Sequence, residues 1–388
     1  MPTDTQIGLN LRISAETFAS EYYCKQPLLV RGALTGNFHW TDANKIVERA
    51  NPMSQDFKVS LEGVLAKERY IEAYYDVGQL RYRLRRAEFY ELLRTGATVI
   101  VNRVKGDDKV EALARQLGRF FGHAIVPSIY VAFGDRDSFR AHWDTRDIVA
   151  VQLVGKKRWL VYEPSLRWPT FKQQSRDYEQ QYPRPETPAL EFVLEPGDAI
   201  YLPRGWWHNP LPVGEATCHL SFGVFPPNMM EYLEWTVEQA RHFERARLSL
   251  LGWDSSELAV REVAEYIKRQ IQDPNNFERF EQAFLSSSRL ESPLSMQNLG
   301  NSAVQHLCGS QRVRISSNSL KDIGRGFVVA NGTKVILDNV GAELLGFLNG
   351  HSSVRMCDLL QHFSGLDGLR LNRLIIELCK QDVLEILP

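Results

Sequence analysis

Long apolar runs are missing from this 388-residue chain. No stretch approaches the roughly 18 consecutive apolar residues of a membrane-crossing helix, which excludes that class of protein. Met1–Asn10 lacks both a basic segment and an apolar run, so no secretory leader is expected. Cysteine is scarce: Cys24, Cys218, Cys308, Cys357 and Cys379 are scattered, odd in number and never spaced CxxC. That pattern excludes a disulfide framework or zinc knuckle and points to a reducing, cytoplasmic setting. An excess of charge of either sign is also absent. The net charge of -1 argues against a globally basic partner for nucleic acid. Repeats and low-complexity tracts do not occur. What remains is ordinary globular composition, 44% hydrophobic and 24% charged. At about 150 residues per domain, the length predicts two or three domains.

Local signals divide the chain. Ser14 reads as the N-cap of a helix, with Thr17 where a capping box would carry Glu or Gln. Pro27–Gly32 reads as a short buried strand, Ala87–Thr95 as a helix and Thr98–Val104 as a strand. Short strands then follow one another: Ser128–Phe133, Ile148–Val154, Arg158–Tyr162, Ala189–Leu194, Ala199–Leu202 and Thr217–Val224. Turns with Gly or Pro separate many of them, which favours a barrel or double sheet over parallel α/β. Pro164–Pro188 is polar and irregular, as a lid or substrate loop would be. Beyond Pro226-Pro227, helices are predicted over Met229–Ser249, Glu257–Gln272 and Phe277–Ser286, then a linker at Ser286–Ser288 and Gly300–Ser302. Asn331-Gly332 marks a hairpin between Gly326–Ala330 and Lys334–Leu337. Helices over Ala342–Leu348, Val354–Phe363 and Arg370–Gln381 and a strand over Val383–Leu387 complete the order of a small winged-helix module. The predicted domains are therefore 1–227, 228–295 and 296–388.

The chemistry is concentrated in His142-Trp143-Asp144 and in Pro203-Arg204-Gly205-Trp206-Trp207-His208. With nine histidines and 47 acids in the chain, a lone His-x-Asp is weak. In a strand, however, positions i and i+2 share a face, so His142 and Asp144 can reach one ion. Pro196-Gly197-Asp198 is a tight turn between strands. Pro203 ends the second strand, and Gly205 permits the backbone that delivers His208. Two imidazoles and one carboxylate on one side of a metal leave the opposite side open, which suits a non-haem Fe(II) oxygenase. Trp206-Trp207 reads as core packing ahead of substrate stacking. Lys156, Lys157 and Arg158 alternate between two faces, and the pattern does not say which face is interior.

Phe18–Ala33 (FASEYYCKQPLLVRGA), His142–Tyr162 (HWDTRDIVAVQLVGKKRWLVY) and Leu194–His208 (LEPGDAIYLPRGWWH) together resemble the JmjC, or cupin-like, 2-oxoglutarate-dependent oxygenases, and within them the ribosomal oxygenase group. The resemblance covers roughly residues 10–225. It implies a fold that is mainly β plus α: a double-stranded β-helix (jelly-roll, cupin) core, a helical segment and a C-terminal winged-helix-like domain. It implies Fe(II) held by His142, Asp144 and His208, with 2-oxoglutarate chelating the iron and dioxygen as co-reactant. It selects Lys157 as the cation for the far carboxylate of 2-oxoglutarate and sets Ser128 beside that cosubstrate. Tyr130 divides evenly between a cosubstrate role and a packed core tyrosine. His219 and Ser221 are polar supports in the family, though a satisfied core histidine fits His219 equally well. The implied substrate is a protein, with ribosomal-protein arginine or histidine as typical targets, and residues 229–288 resemble a dimerisation segment, which implies a homodimer.

Other readings stay open. Asp135 and Asp137 could clamp a cationic side chain, but solvated loop charges are the simpler reading. A non-catalytic cupin-like scaffold or sensor would keep the barrel without turnover, yet would not need the three ligands and Lys157 together. A metal-dependent isomerase or dioxygenase without 2-oxoglutarate would not need Lys157. The tail also resembles peptide-binding winged modules, which makes a biosynthetic precursor peptide a second candidate substrate.

Overall fold

Period-two alternation gives the main sheet of this protein one dry face and one wet face, and the site follows from that division. In the computed structural model, residues 7–135, 140–287, 293–301, 306–317, 319–330 and 332–387 are described. Two compact units divide the chain at Phe225/Pro226.

The first unit is built on eleven strands in two sheets. In chain order they are β1 (Leu28–Val30), β2 (Phe57–Ser60), β3 (Thr98–Asn102), β4 (Ile125–Ala132), β5 (His142–Trp143), β6 (Asp147–Val154), β7 (Lys157–Tyr162), β8 (Leu190–Leu194), β9 (Ala199–Leu202), β10 (Trp207–Pro212) and β11 (Thr217–Val224). The larger sheet runs β1-β9-β6-β11-β4-β3-β2 and the smaller one β8-β7-β10-β5, with antiparallel neighbours throughout. From β4 to β7 and again from β8 to β11, successive strands cross from one sheet to the other, as in a jelly roll.

Val99, Val101, Ile129, Val131, Leu220 and Phe222 point to the dry face of the large sheet. They pack against Val110, Leu113 and Leu117 of the helix Asp108–Phe121 and against Phe18 of the helix Ala15–Glu21. Full burial of side chains of this size contributes about 1.5–3 kcal/mol each. Ser14 caps the shorter helix through Thr17 N at 3.1 Å, as the sequence predicts. The intervening residues of the same strands, among them Thr98, Asn102, Tyr130, His219 and Ser221, face the smaller sheet. Where the two sheets close, Ile148, Ala150, Trp159, Val161, Leu194, Ile200 and Leu202 form an apolar plug.

The strand β10 was not expected, because Pro210 and Pro212 lie in it. It pairs with β7 along its length but with β5 only at Trp207 and His208. Past His208 it is therefore an edge, where proline is tolerated.

In the second unit, the helix predicted over Met229–Ser249 ends at Gln239. Two 3-10 turns, Ala240–His242 and Glu244–Arg247, replace its remainder, with Phe243 extended between them and stacked on Tyr266. The incomplete apolar stripe did not sustain a longer helix. Helices Trp253–Gln272 and Pro274–Ser287 follow. Further on, Val354–Arg355, Arg312–Ile315 and Leu384–Leu387 form a three-stranded sheet beside the hairpin Phe327–Ala330/Thr333–Ile336. Helices Asn339–Asn349, Met356–His362 and Gly368–Lys380 pack their leucines and isoleucines into the same core. Asn331 of the hairpin turn, and Ser288 and Ser302 of the expected linkers, lie outside the described residues. Among the described residues no helix is long and apolar enough to cross a membrane.

Candidate metal centre

His142 opens β5, Asp144 sits one residue past its end, and His208 pairs with His142 across the β5–β10 ladder. The nearest ligand atoms of the three residues all lie within 4.8 Å of one another. His208 Nε2 is 3.7 Å from Asp144 Oδ2, and the two imidazole centroids are 4.4 Å apart. Each ring is fixed from behind. His142 Nδ1 lies 3.0 Å from the carbonyl oxygen of Arg140, and His208 Nδ1 lies 3.1 Å from that of Trp206. A carbonyl can only accept, so each Nδ1 carries the proton and donates. Each Nε2 is then left with its lone pair for a metal.

The electrostatics agree with that assignment. Burial, reinforced by His142, holds His208 down to about 4, so it is neutral near pH 7. Burial pushes the Asp144 carboxyl up, but Arg146, His208 and His142 together outweigh it and leave the carboxyl below its ordinary range. Two neutral donors and one carboxylate suit a divalent first-row metal.

The backbone that delivers His208 depends on Gly205. Its φ is +90°, and a Cβ there would lie 2.6 Å from the carbonyl oxygen of Leu166 and 2.8 Å from Pro169 Cδ. Gly205 N donates to the carbonyl of Asp144 at 3.0 Å, which ties one ligand loop to the other. Asp147 strengthens the tie. It is 1% exposed, and it accepts from Tyr201 Oη at 2.5 Å and from Arg204 N at 3.0 Å. Burial still raises its pKa, despite those bonds. Asp147→Asn should turn an amide N–H toward one of these donors and cost about 1–3 kcal/mol in urea unfolding. No loss of stability would show that the tie is dispensable.

Trp207 is a core residue, as expected, while Trp206 is half-buried against the apolar plug; Trp143, for which no expectation was drawn, is a core residue as well. Trp143 and Trp207 meet edge to face at 4.7 Å, and their indole nitrogens donate to Gln173 O (3.0 Å) and Ser165 Oγ (2.8 Å). The irregular segment Pro164–Pro188 therefore braces the back of the ligand strands.

In front of the ligands lies a cavity of about 210 Å³ between the sheets. Lys157 points into it and is 3% exposed, whereas Lys156 and Arg158 point outward to Glu195 and Glu191. The Lys157 ammonium donates to His219 Nδ1 at 3.1 Å, so the imidazole is neutral with its proton on Nε2. Burial pulls Lys157 down to about 8 and His219 well below its usual value. His219 stacks on Tyr130 at 4.8 Å. Burial, with Asp144 nearby, pushes the Tyr130 hydroxyl up to about 12. Tyr130 and Ser221 line the cavity. Ser128 is buried between Asn102 and Ser221 in the sheet register but is not among the lining residues.

Sequence reasoning missed Lys58, Thr98 and Asn102, which also line the cavity. Thr98 and Asn102 bracket an apolar strand four residues apart, a spacing that puts both on one face, and that signal was available. Nothing in the pattern marked Lys58 or the Asp147–Tyr201 tie. Asp135 is exposed and away from the cavity, and Asp137 lies outside the described residues.

Comparison with known proteins agrees with this geometry. Residues 100–232 match the JmjC domain family. Ribosomal oxygenase 2 of Rattus norvegicus is 30% identical over 123 residues, 31% of this chain and 25% of that protein. The bifunctional lysine-specific demethylase and histidyl-hydroxylase NO66 of Drosophila persimilis is 28% identical over 130 residues, 32% of this chain and 18% of that protein. The chain thus spans a quarter or less of the length of these two relatives. The structure of YcfD, a ribosomal oxygenase from Escherichia coli in complex with cobalt and 2-oxoglutarate, superposes with a TM-score of 0.60 at 16% identity, over 98% of this chain and all of that one. This likeness shows the fold: a cupin-like jelly roll within a mixed α/β chain.

Proposed function

We propose that this chain is an Fe(II)- and 2-oxoglutarate-dependent oxygenase that hydroxylates an amino-acid side chain of a protein or peptide. The names of its relatives point to a ribosomal protein. One observation carries the reading: two carbonyl-fixed imidazoles and a carboxylate converge at the mouth of a cavity whose inner wall holds a buried lysine. The donor set fits Fe(II), and the bound metal with 2-oxoglutarate supplies the oxidising chemistry.

The chain's own residues hold and orient. His142, Asp144 and His208 occupy one side of the metal and leave the cavity side open. Lys157 meets the far carboxylate of 2-oxoglutarate. His219 accepts from its ammonium and fixes its direction, and Tyr130 packs that imidazole in place. Tyr130 and Ser128 belong to the cosubstrate wall, Tyr130 by contact and Ser128 through its strand. The plug around Trp159 closes the far end against water.

Succinate release from 2-oxoglutarate, coupled to a gain of one oxygen atom in a protein or peptide substrate, tests the assignment. Barrel-fold scaffolds or metal-dependent isomerases would release no succinate. A dependence on pH follows from Lys157. The cation binds the carboxylate, so affinity for 2-oxoglutarate should be level below about pH 8. It should then fall by up to about tenfold per unit above that value, as the free amine forms. Calorimetric titration between pH 6.5 and 9.5 reads this directly; a level profile throughout would remove Lys157 from the carboxylate.

Leu250, Leu251, Trp253 and Leu258 are more than half exposed in the segment 228–295, which supports a homodimer through that segment. Three helices packed on small antiparallel sheets support a winged-helix-like domain over 296–388 that binds peptide or packs, without nucleic acid.

A further inference from the structure

We infer that the substrate entering this cavity carries a carboxylate at or beside the carbon that reacts, and that Arg146 recognises it. The inference rests on the metal and 2-oxoglutarate reading above and deepens it. Among the described residues that line the cavity, Asp144 is the only acid, while Lys58, Arg146 and Lys157 are cations. A divalent metal and the two carboxylates of 2-oxoglutarate cancel in charge. Against three cations the lining sets one carboxylate, Asp144, so two positive charges stay unbalanced, and Lys157 is turned toward the cosubstrate. Positive charge on Arg146 and Lys58 is left facing whatever enters.

Arg146 is built into its position. Its guanidinium lies 5.7 Å from the centre of the Phe225 ring. Gly223 leaves room for its side chain: a Cβ there would be 2.9 Å from both Cδ and Nε of Arg146. Among the described residues its one ion pair is with Asp144, at 4.0 Å between Nη2 and Oδ1, too long for a hydrogen bond. The side chain is 36% exposed, so it reaches the open end of the cavity. Arginine stays charged at all working pH values, and its planar fork matches a carboxylate. An incoming arginine would instead meet two like charges beside a metal, where low dielectric enlarges the repulsion. Asp135, weighed as half of an acidic clamp, does not line the cavity, so Asp144 is the one described acid there to set against that repulsion. A carboxylate can come from an Asp or Glu side chain or from a chain terminus, and the chemistry at Arg146 is the same.

The test is binding to the full chain loaded with Mn(II) and 2-oxoglutarate without oxygen. The probes are N-acetylated five-residue alanine peptides with Asp, Glu, His or Arg at the centre and an amidated end, plus an all-alanine peptide with a free terminal carboxylate. Acidic centres, or the free terminus, should bind about tenfold or more tighter than the Arg peptide, and which of the two binds names the source of the carboxylate. Arg146→Gln should erase that preference and Arg146→Lys should keep most of it. Gly223→Ala, which displaces the guanidinium without removing it, should weaken the preference. Affinity for 2-oxoglutarate, read in the same variants, should move by less than about threefold. Equal or tighter binding of the Arg or His peptide by the unaltered protein overturns the inference, as does a preference that survives Arg146→Gln. Acid-selective binding that depends on Arg146 but needs no 2-oxoglutarate would sustain the inference while removing the cosubstrate assignment.

Discussion

His142→Ala should abolish 2-oxoglutarate turnover and leave the fold in place. The imidazole is one of three donors within 4.8 Å of one another, and a metal held by the remaining two has lost one face of its coordination. The ring contributes little to the core. It lies at the cavity wall, and its single described hydrogen bond goes to the backbone carbonyl of Arg140. Truncation should therefore cost about 1 kcal/mol or less, a shift of the thermal midpoint of roughly 2–4 °C. Loss of activity with a near-native melting curve separates a ligand from a packing residue. Full activity in the variant would take His142 out of the site.

Lys157→Ala should raise the 2-oxoglutarate requirement by about tenfold to a hundredfold. A charge-assisted hydrogen bond to a carboxylate is worth about 1.5–3 kcal/mol, and each 1.4 kcal/mol is about tenfold. Its amine also donates to His219, so the deletion leaves Nδ1 of a buried imidazole without that donor. Lys157→Met removes the same amine but keeps the aliphatic packing, and so separates loss of the amine from loss of packing. If both variants weaken 2-oxoglutarate to the same extent, the loss belongs to the amine and not to packing. An unchanged requirement in both would transfer the role to another cation of the cavity, Lys58 or Arg146.

The convergence of His142, Asp144 and His208 and the strands between them were legible because both obey short-range rules. The alternation along Thr217–Val224 sets its faces. The turn Pro196-Gly197-Asp198 and the break at Pro203 set the register that delivers His208. Lys157 was singled out by resemblance alone, since alternation separates it from Lys156 and Arg158 without saying which face is inside. The structure puts it at 3% exposure, with both neighbours in exposed ion pairs. Residues that reach the site by crossing the sheet were not legible. Lys58 arrives there through the register β2-β3-β4-β11, which pairs it with Ile100, Tyr130 and His219 in turn. Strand order is a long-range property that local pattern does not encode. The tie from Asp147 to Tyr201 and Arg204 has the same origin. Strand β10 was obscured by Pro210 and Pro212, which are tolerated only because β5 stops short of them.

The most direct measurement is visible absorption of the purified chain under anaerobic conditions, as Fe(II) and then 2-oxoglutarate are added. A weak charge-transfer band that needs both additions, and is lost in His142→Ala, is the predicted result. A correctly loaded ferrous protein that shows no band with 2-oxoglutarate, or one that shows the same band without His142, would contradict the account.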